Sequence, residues 1–176
     1  GADVAEPRAK RLTTNNFGIF IGTATIASRA ELFTNQVAVN STSLLIQQPG
    51  AMLTANSDFR ISQGEVTVED GAHLSTVDTM ISSSLGPTAN KFLRLQTSDA
   101  NTVPTWTNSG DVFVGGDETS ASDVAKLLIA GGIADIGGTV KIWDEGVVQL
   151  STLAPLDQVP TTLIADTVEN TLGGQF

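Results

Sequence analysis

Short runs in which apolar and polar residues alternate fill most of the chain, and one of these runs recurs at a fixed distance. Alternation with a period of two is typical of β-strands that bury one face, whereas helices show a period near 3.6. The recurring element is an Ala and a Leu separated by one residue, and successive copies lie 21 residues apart. Its copies are Ala30/Leu32, Ala51/Leu53, Ala72/Leu74 and, with Leu in place of Ala, Leu93/Leu95.

A fixed period near twenty residues indicates stacked units, each of which buries its apolar face on the next. Three units follow one another in register at 23–43, 44–64 and 65–85, with polar or Gly corners between short strands. The sequence therefore predicts an all-β protein, a single-stranded right-handed parallel β-helix (β-solenoid) with about 21 residues per coil. An antiparallel sandwich, in which the repeat is a coincidence, is the alternative.

A single domain is predicted for residues 1–176, because this length suits one continuous core. Residues 17–152 are assigned to the stacked coils, about six at this period. Residues 1–16 are polar and are assigned to an N-terminal arm or cap, in which Pro7 favours a short helix. Residues 153–176 do not repeat the pattern and are assigned to a C-terminal cap or linker.

Composition and charge exclude several classes of function. The net charge of −10, with only nine Lys and Arg residues, argues against nucleic acid, because phosphate binding needs clustered cations. The absence of Cys excludes disulfides, thiolate zinc sites and a Cys nucleophile. No apolar run approaches the length of a membrane span, and no signal peptide is recognisable, so an exported protein would have lost its leader.

His73 is the only histidine, so Ser-His-Asp catalysis would have to pass through it. The 21-residue repeat aligns His73 with Glu31, Met52 and Arg94. A position that accepts such different side chains is typical of an exposed slot. No catalytic residue is therefore predicted, and the protein is not expected to be an enzyme.

Two acidic pairs stand just before corner glycines: Glu69-Asp70 and Asp144-Glu145. If the pairs meet across coils, they suit the acid/base chemistry of glycoside hydrolysis or an acidic calcium site. The favoured interpretation is that they are solvated corner residues that keep the protein soluble.

A third acidic stretch contains Asp111, Asp117, Glu118 and Asp123. Ca²⁺ binds carboxylate and carbonyl oxygens of flexible loops, so a calcium loop is one interpretation of this stretch. The spacing of an EF-hand is missing, which favours an ordinary polar loop. We therefore predict no metal site and no cofactor, with Ca²⁺ left as the open alternative.

Trp106 lies among turn residues and is assigned to a loop. An aromatic side chain in such a loop either stacks on a sugar or covers the flank of the core. The second interpretation is favoured.

Residues 111–150 carry a resemblance to a known group of proteins. The segment contains Val-Gly-Gly at 114–116, a Gly-Gly at 131–132, and Gly-Gly-Thr-Val-Lys-Ile-Trp at 137–143, followed by Gly-Val-Val-Gln-Leu at 146–150. These pieces resemble the repeats of secreted bacterial β-solenoid proteins, both PEP-CTERM-type exported proteins and autotransporter-associated strand repeats. The resemblance implies a parallel β-helix, export from a bacterial cell, and a surface role without known catalytic residues.

The sequence thus favours a non-catalytic exported structural or surface protein, either adhesive or self-assembling. The expected partners are further copies of the chain, other surface proteins or glycans, without nucleic acid and without a membrane span. The expected location is extracellular or at the bacterial cell surface. The alternative is a carbohydrate-active protein, that is, a polysaccharide lyase, a hydrolase or a glycan-binding module.

Overall fold

The computed structural model describes residues 10–40, 43–82, 91–99, 101–116, 125–143, 145–151, 159–171 and 174–176. These residues form eighteen β-strands and contain no helix, in agreement with the all-β class. The described ranges therefore hold no helix long and apolar enough to cross a membrane. The strands are β1 (Arg11–Thr13), β2 (Asn16–Ile19), β3 (Thr23–Ile26), β4 (Glu31–Thr34), β5 (Gln36–Val39), β6 (Ser43–Gln47), β7 (Met52–Ala55), β8 (Asp58–Ile61), β9 (Gly64–Val68), β10 (His73–Thr76), β11 (Asp78–Ile81), β12 (Lys91–Gln96), β13 (Thr105–Asn108), β14 (Val112–Val114), β15 (Ala125–Ala130), β16 (Gly132–Ile142), β17 (Gly146–Leu150) and β18 (Thr161–Asn170).

Strands that follow one another along the chain belong to three different rows, and all pairing within a row is parallel. The first row contains β1, β4, β7, β10, β13 and the first half of β16. The second row contains β2, β5, β8, β11, β14 and the second half of β16. These rows meet in β16 and form one twelve-stranded sheet with β18, which pairs with β16. The third row, from β3 through β6, β9, β12 and β15 to β17, is a separate six-stranded sheet.

Alternation along each strand separates the core from the surface. In β12 the side chains alternate between buried and half-buried, and both Leu93 and Leu95 are fully buried. Because parallel strands lie about 4.8 Å apart, equivalent residues of successive strands contact one another in columns. Each fully buried Leu contributes roughly 1.5–3 kcal/mol to the stability of the fold.

One such column runs through the whole first row, and we call it the Leu column. Trp106 takes a place in it directly after Leu74, and the next residue is the small Ala134. A large side chain beside a small one lets the column keep the close packing of a protein core. The column consists of Leu12, Leu32, Leu53, Leu74, Trp106, Ala134 and Leu163.

The prediction of a single-stranded right-handed parallel β-helix with about 21 residues per coil is wrong. The strands belong to two parallel sheets, of twelve and six strands, and the order of the larger sheet is open, ending at β1 and β2. The spacing between paired residues is not constant either. It is 21 residues from Met52 to His73, 32 from His73 to Thr105, and 28 from Thr105 to Ile133.

The fourth copy of the repeat is the part of the pattern that fails. Leu93 and Leu95 lie in the third row, where they pair with Val66 and Val68. The place after Leu74 in the Leu column belongs to Trp106, which lies in strand β13 and not in a loop. The physical reason is that the longer chain between β11 and β13 shifts the first row by eleven residues relative to the repeat.

We call three consecutive strands, one from each row, a level of the stack. The turn that precedes the Leu column recurs with the same backbone geometry in three levels. Gly50 and Gly71 have positive φ angles of 71° and 64°, and Arg29 holds the equivalent position with φ 60°. In each turn the residue after the positive φ donates its backbone amide to the carbonyl three residues earlier. One example is the hydrogen bond from the amide of Ala72 to the carbonyl of Glu69, at 2.8 Å. Glycine adopts this conformation without the steric cost that a Cβ imposes, so Arg29 is a strained exception.

Strands also occupy the two terminal segments. The strand β1 contains Arg11 and Leu12, where Pro7 favoured a helix, while residues 1–9 lie outside the described part of the chain. At the other terminus, β18 lies in the segment 153–176 and pairs with β16. The antiparallel sandwich is also wrong, because the strand pairs of the described residues are parallel throughout.

Candidate functional site

A groove of about 450 Å³ lies at the corner where the chain passes from the third row to the first. Residues from three successive levels line it, because the same corner recurs after β6, β9 and β12. Five of its six lining residues carry polar side chains: two carboxylates, one amide and two hydroxyls. The lining residues are Pro49, Glu69, Asp70, Gln96, Thr97 and Ser98.

Asp70 holds two of these levels together. Its carboxylate accepts hydrogen bonds from the backbone amide and the hydroxyl of Ser98, at 2.6 and 2.5 Å, and from the hydroxyl of Thr97 at 2.5 Å. Desolvation by burial acts to raise the pKa of Asp70, but the hydrogen bonds from Ser98 and Thr97 outweigh it and lower the pKa from its ordinary value of 3.8. The groove therefore keeps a charged carboxylate down to acidic pH.

Replacement of Asp70 by Asn is expected to lower the free energy of unfolding at pH 6 and to flatten its dependence on pH below 4. The carboxylate has a lower pKa in the folded than in the unfolded protein, so it stabilises the fold above its unfolded value near 3.8. That stability is lost as the pH falls through the folded-state pKa. Urea unfolding at pH 6 and pH 3 measures both effects.

Ser98→Ala is the matched variant for this prediction, because it removes one hydroxyl donor and leaves the amide of Ser98 and the hydroxyl of Thr97 in place. It should show a smaller loss of the pH-dependent stability than Asp70→Asn. Equal slopes between pH 6 and pH 3 for the wild type and Asp70→Asn would contradict the prediction.

His73 lies in β10 beside this corner and is half-buried, whereas the repeat predicted an exposed slot. Its Nδ1 atom lies 2.7 Å from the hydroxyl of Thr105, and burial lowers the pKa of the ring from its ordinary value of 6.5. The alignment with Glu31 and Met52 is correct, but Arg94 belongs to the third row. Within the described contacts no carboxylate orients the ring, so the arrangement lacks the third member of a triad.

Glu145, the described member of the second acidic pair, does not meet Glu69 and Asp70. Glu69 and Asp70 lie between the third and first rows, whereas Glu145 lies at the corner between the second row and the third. Three strand steps, at about 4.8 Å each, separate β9 from β17, so the corners are roughly 14 Å apart along the stack. The carboxyl groups of a glycosidase lie within about 9.5 Å. The acid/base interpretation is therefore wrong for Glu145, and Asp144 lies outside the described residues.

The third acidic stretch is described only at Asp111. This carboxylate contacts Lys141 at 2.7 Å and accepts a hydrogen bond from the backbone amide of Thr139 at 3.0 Å. Asp117, Glu118 and Asp123 lie outside the described residues. Within the residues that are described, no group of three or more His, Asp or Glu side chains is placed to hold a metal ion. The calcium interpretation stays untested at this loop.

Trp106 is fully buried, so it is not available to stack on a sugar. Its indole N–H donates to the hydroxyl of Thr76 at 2.8 Å, and this hydroxyl in turn donates to the side-chain oxygen of Asn108 at 2.7 Å. A buried polar group of this kind stabilises the fold because its hydrogen bonds are made inside the core. The sugar-stacking interpretation is therefore wrong, and Trp106 belongs to the core itself and does not merely cover its flank.

Exposed apolar residues are concentrated at the two ends of the stack. The first end comprises β1–β3, and the last end comprises β17, β18 and the terminal Phe176. Eight large hydrophobic side chains are exposed among the described residues, and Met52 alone lies away from these ends. The other seven are Leu12, Phe20 and Ile21 at the first end and Leu150, Ile164, Val168 and Phe176 at the last end.

Three of these residues occupy core positions at the end of a column, where no described strand pairs on the outer side. Leu12 begins the Leu column and is 56% exposed, although Leu32 next to it is buried. Val168 and Leu150 end the inner columns of the second and third rows, where their neighbours Val140 and Ile129 are fully buried. Alternation alone did not reveal these residues, since a terminal strand has the same pattern as an internal one.

Comparison with known proteins identifies no relative: no protein-family model matches the chain, and no match is found among curated proteins or solved structures. The resemblance of residues 111–150 to secreted bacterial repeat proteins stays a prediction.

Proposed function

We propose that this protein is a non-catalytic structural protein that associates head to tail, the last end of one copy contacting the first end of the next. The observation that carries the proposal is the position of the exposed apolar residues, seven of eight of which belong to the two ends. Large exposed apolar patches on soluble proteins are typical of interaction surfaces. A second copy of the chain is the partner that suits both ends at once.

Strand direction favours this partner. The strands of each row are parallel, so a second copy that stacks on β18 with the same polarity continues the sheet through its own β1 and β2. Among the described residues, β1, β2 and β18 pair with another strand on one side only, and such stacking would satisfy the backbone N–H and C=O groups of the other side. A head-to-tail contact does not close on itself, and repeated addition therefore produces a filament.

The columns of the core also match across this contact. Leu163, the last residue of the Leu column, would meet Leu12 of the next copy, and Val168 would meet its Phe17. Burial of a large aliphatic side chain contributes roughly 1.5–3 kcal/mol. The net charge of −10 on each copy opposes association, so salt should strengthen it by screening the repulsion.

Leu12→Lys and Val168→Lys are each expected to leave the protein monomeric, because a Lys on a sheet edge blocks edge-to-edge pairing. Sedimentation velocity at increasing protein concentration, at low and high salt, measures this growth. Met52→Lys is the matched control: it introduces the same charge on an exposed apolar residue away from the ends and should associate like the wild type.

Mixing the two end variants tests the polarity of the contact. Each variant retains one intact end, and in a head-to-tail contact these intact ends are complementary, so an equimolar mixture should form a dimer that does not grow. Formation of dimers by either variant alone would indicate a head-to-head contact and overturn the proposed polarity. A wild type that is monomeric at all concentrations and salts would overturn the proposed function.

Export, location at a bacterial surface and an adhesive role stay predictions of the sequence, and self-association does not depend on them. Carbohydrate-active catalysis also stays untested. An assay of polysaccharide turnover by Glu69→Gln, Asp70→Asn and the wild type addresses it, with equal and negligible turnover expected for all three.

A further inference from the structure

Two aromatic rings lie together on the outer face of the second row. Phe113 points outward from β14, and Trp143 directly follows β16; their ring centroids are 5.1 Å apart and the planes are inclined by 53°. Both side chains are half-buried. The backbone amide of Trp143 donates to the carbonyl of Val114 at 2.8 Å, which holds the start of the following corner against β14. The pair is thus a rigid, partly exposed aromatic surface.

Two shallow cavities lie on the outer face of the second row, and Phe113 of this pair lines one of them. One cavity, of about 40 Å³, lies between Met80 and Phe113, and a second, of about 240 Å³, lies beside Gln36. Asp58 and Arg60 line both cavities, which therefore lie side by side at β8, and we call the two together the furrow. It spans β5, β8, β11 and β14, three strand steps, or roughly 14 Å at about 4.8 Å per step.

Two ion pairs lie in or beside the furrow, and the carboxylate of Asp78, which also lines it, accepts a hydrogen bond from the backbone amide of Asp111. Lys141 contacts Asp111 at 2.7 Å and lies 4.8 Å from the centroid of the Phe113 ring, and Arg60 contacts Asp58 at 3.6 Å. The hydrogen bond from Lys141 lowers the pKa of Asp111 below its ordinary value, so this pair stays charged down to acidic pH. Gln36 adds an amide that donates to Asp58 at 3.3 Å. The furrow therefore offers both donors and acceptors without an excess of cations.

We propose that this furrow binds a neutral linear polysaccharide that runs across the strands and packs one sugar ring against Phe113 and Trp143. Aromatic rings supply rigid apolar contact area, and the flanking carboxylates, amide and cations supply hydrogen bonds to hydroxyl groups. A polyanion is disfavoured because Arg60 and Lys141 are already paired with carboxylates. An extended peptide is disfavoured because the backbone of these internal strands is already paired, which leaves no edge for strand addition.

Calorimetric titration with three neutral hexasaccharides, of β-1,4-linked glucose, α-1,4-linked glucose and β-1,4-linked mannose, tests the site on the intact protein. At least one hexasaccharide should bind saturably with a Kd below about 10 mM. This affinity corresponds to a binding free energy of only a few kcal/mol, which one stacked sugar ring with its hydrogen bonds can supply. Phe113→Ala and Trp143→Ala should each weaken that binding about tenfold, the effect of removing an aromatic anchor. Because the chain has only two Trp residues and Trp106 is buried, ligand-induced fluorescence changes would report on Trp143.

Phe33→Ala is the matched control. Phe33 is also half-buried and outward-facing, with the Arg11 guanidinium 4.2 Å from its ring centroid, but it lies on the first row. Its replacement should leave the Kd unchanged. The proposal is overturned if none of the three hexasaccharides binds, if Phe33→Ala weakens binding as much as Phe113→Ala, or if a sulfated hexasaccharide binds more tightly than its neutral parent. Binding of unfolded casein with the hexasaccharides inert would assign the furrow to a polypeptide and overturn it as well.

Discussion

Replacement of Trp106 by alanine is expected to lower the free energy of unfolding by about 3–5 kcal/mol, the usual cost of removing a fully buried aromatic side chain. The loss combines the transfer of the indole out of the core with a cavity between Leu74 and Ala134. Ala134 is too small to fill that cavity. Since natural domains are stable by only about 5–15 kcal/mol, this single change should leave the fold marginal.

A second contribution comes from the buried hydrogen bonds of the indole. The hydroxyl of Thr76 would lose its bond from the Trp106 N–H, and the hydroxyls of Thr76 and Thr79 and the side chain of Asn108 form one fully buried network. Trp106→Phe keeps most of the volume, and it removes the N–H donor together with a small part of the ring system. It should therefore cost less than the alanine variant, about 1–3 kcal/mol.

Trp143→Ala is the matched control for the size of the effect, because the chain has two Trp residues and this one is half-buried. Its loss removes the ring contact with Phe113, worth about 0.5–1.5 kcal/mol beyond the area that it buries, and should destabilise the protein less than Trp106→Ala does. Urea unfolding followed by circular dichroism compares the variants without relying on Trp fluorescence. Equal destabilisation by Trp106→Ala and Trp143→Ala would contradict the position of Trp106 in the Leu column.

Gly131→Ala is expected to destabilise the protein by roughly 2–5 kcal/mol, for two reasons that add. Gly131 is the single residue between β15 and β16, and its φ angle of 86° is unfavourable for a residue with a side chain. A Cβ atom here would also lie 2.6 Å from a methyl carbon of Thr97 and 2.9 Å from one of Val159. The chain would have to move at the corner where the third row passes into the first.

Gly22→Ala separates these two causes. Gly22 also has a positive φ, 104°, but a Cβ atom there would meet no other atom within 4 Å. This variant should show the conformational cost alone, about 1–2 kcal/mol. If both alanine variants unfold at the same urea concentration, crowding at Gly131 contributes nothing and the packing described for this corner is wrong.

The parts of the fold that could be predicted from the sequence are those that local patterns determine. Alternation identified the strands between residues 23 and 81, and the acidic and glycine residues at 69–71 marked a corner. The row to which a strand belongs could not be predicted in this way. The pattern of Lys91–Gln96 is the same whichever row it occupies, so the repeat placed Leu93 in the Leu column, where the structure has Trp106.

The candidate sites also contain features that could be predicted from the sequence and features that could not. Asp70 was recognised as a corner residue, but its hydrogen bonds to Thr97 and Ser98 depend on how the longer connections align the levels. Alternation can indicate that Phe113 and Trp143 each point outward, but it does not indicate that they meet. Their contact requires the parallel register between β14 and β16. These contacts depend on the register between distant strands. Short sequence patterns do not determine that register, so the contacts could not be predicted from them.

The arrangement of the strands in rows has a mechanical consequence. Each strand contacts chiefly the strands one level above and below it, so the bonds that hold a level run along the stack and not across it. The first and last strands, β1 and β18, lie at opposite ends of that stack. Tension applied between β1 and β18 would load the hydrogen bonds of one level at a time. The levels would therefore detach in turn, while the remaining ones stay folded.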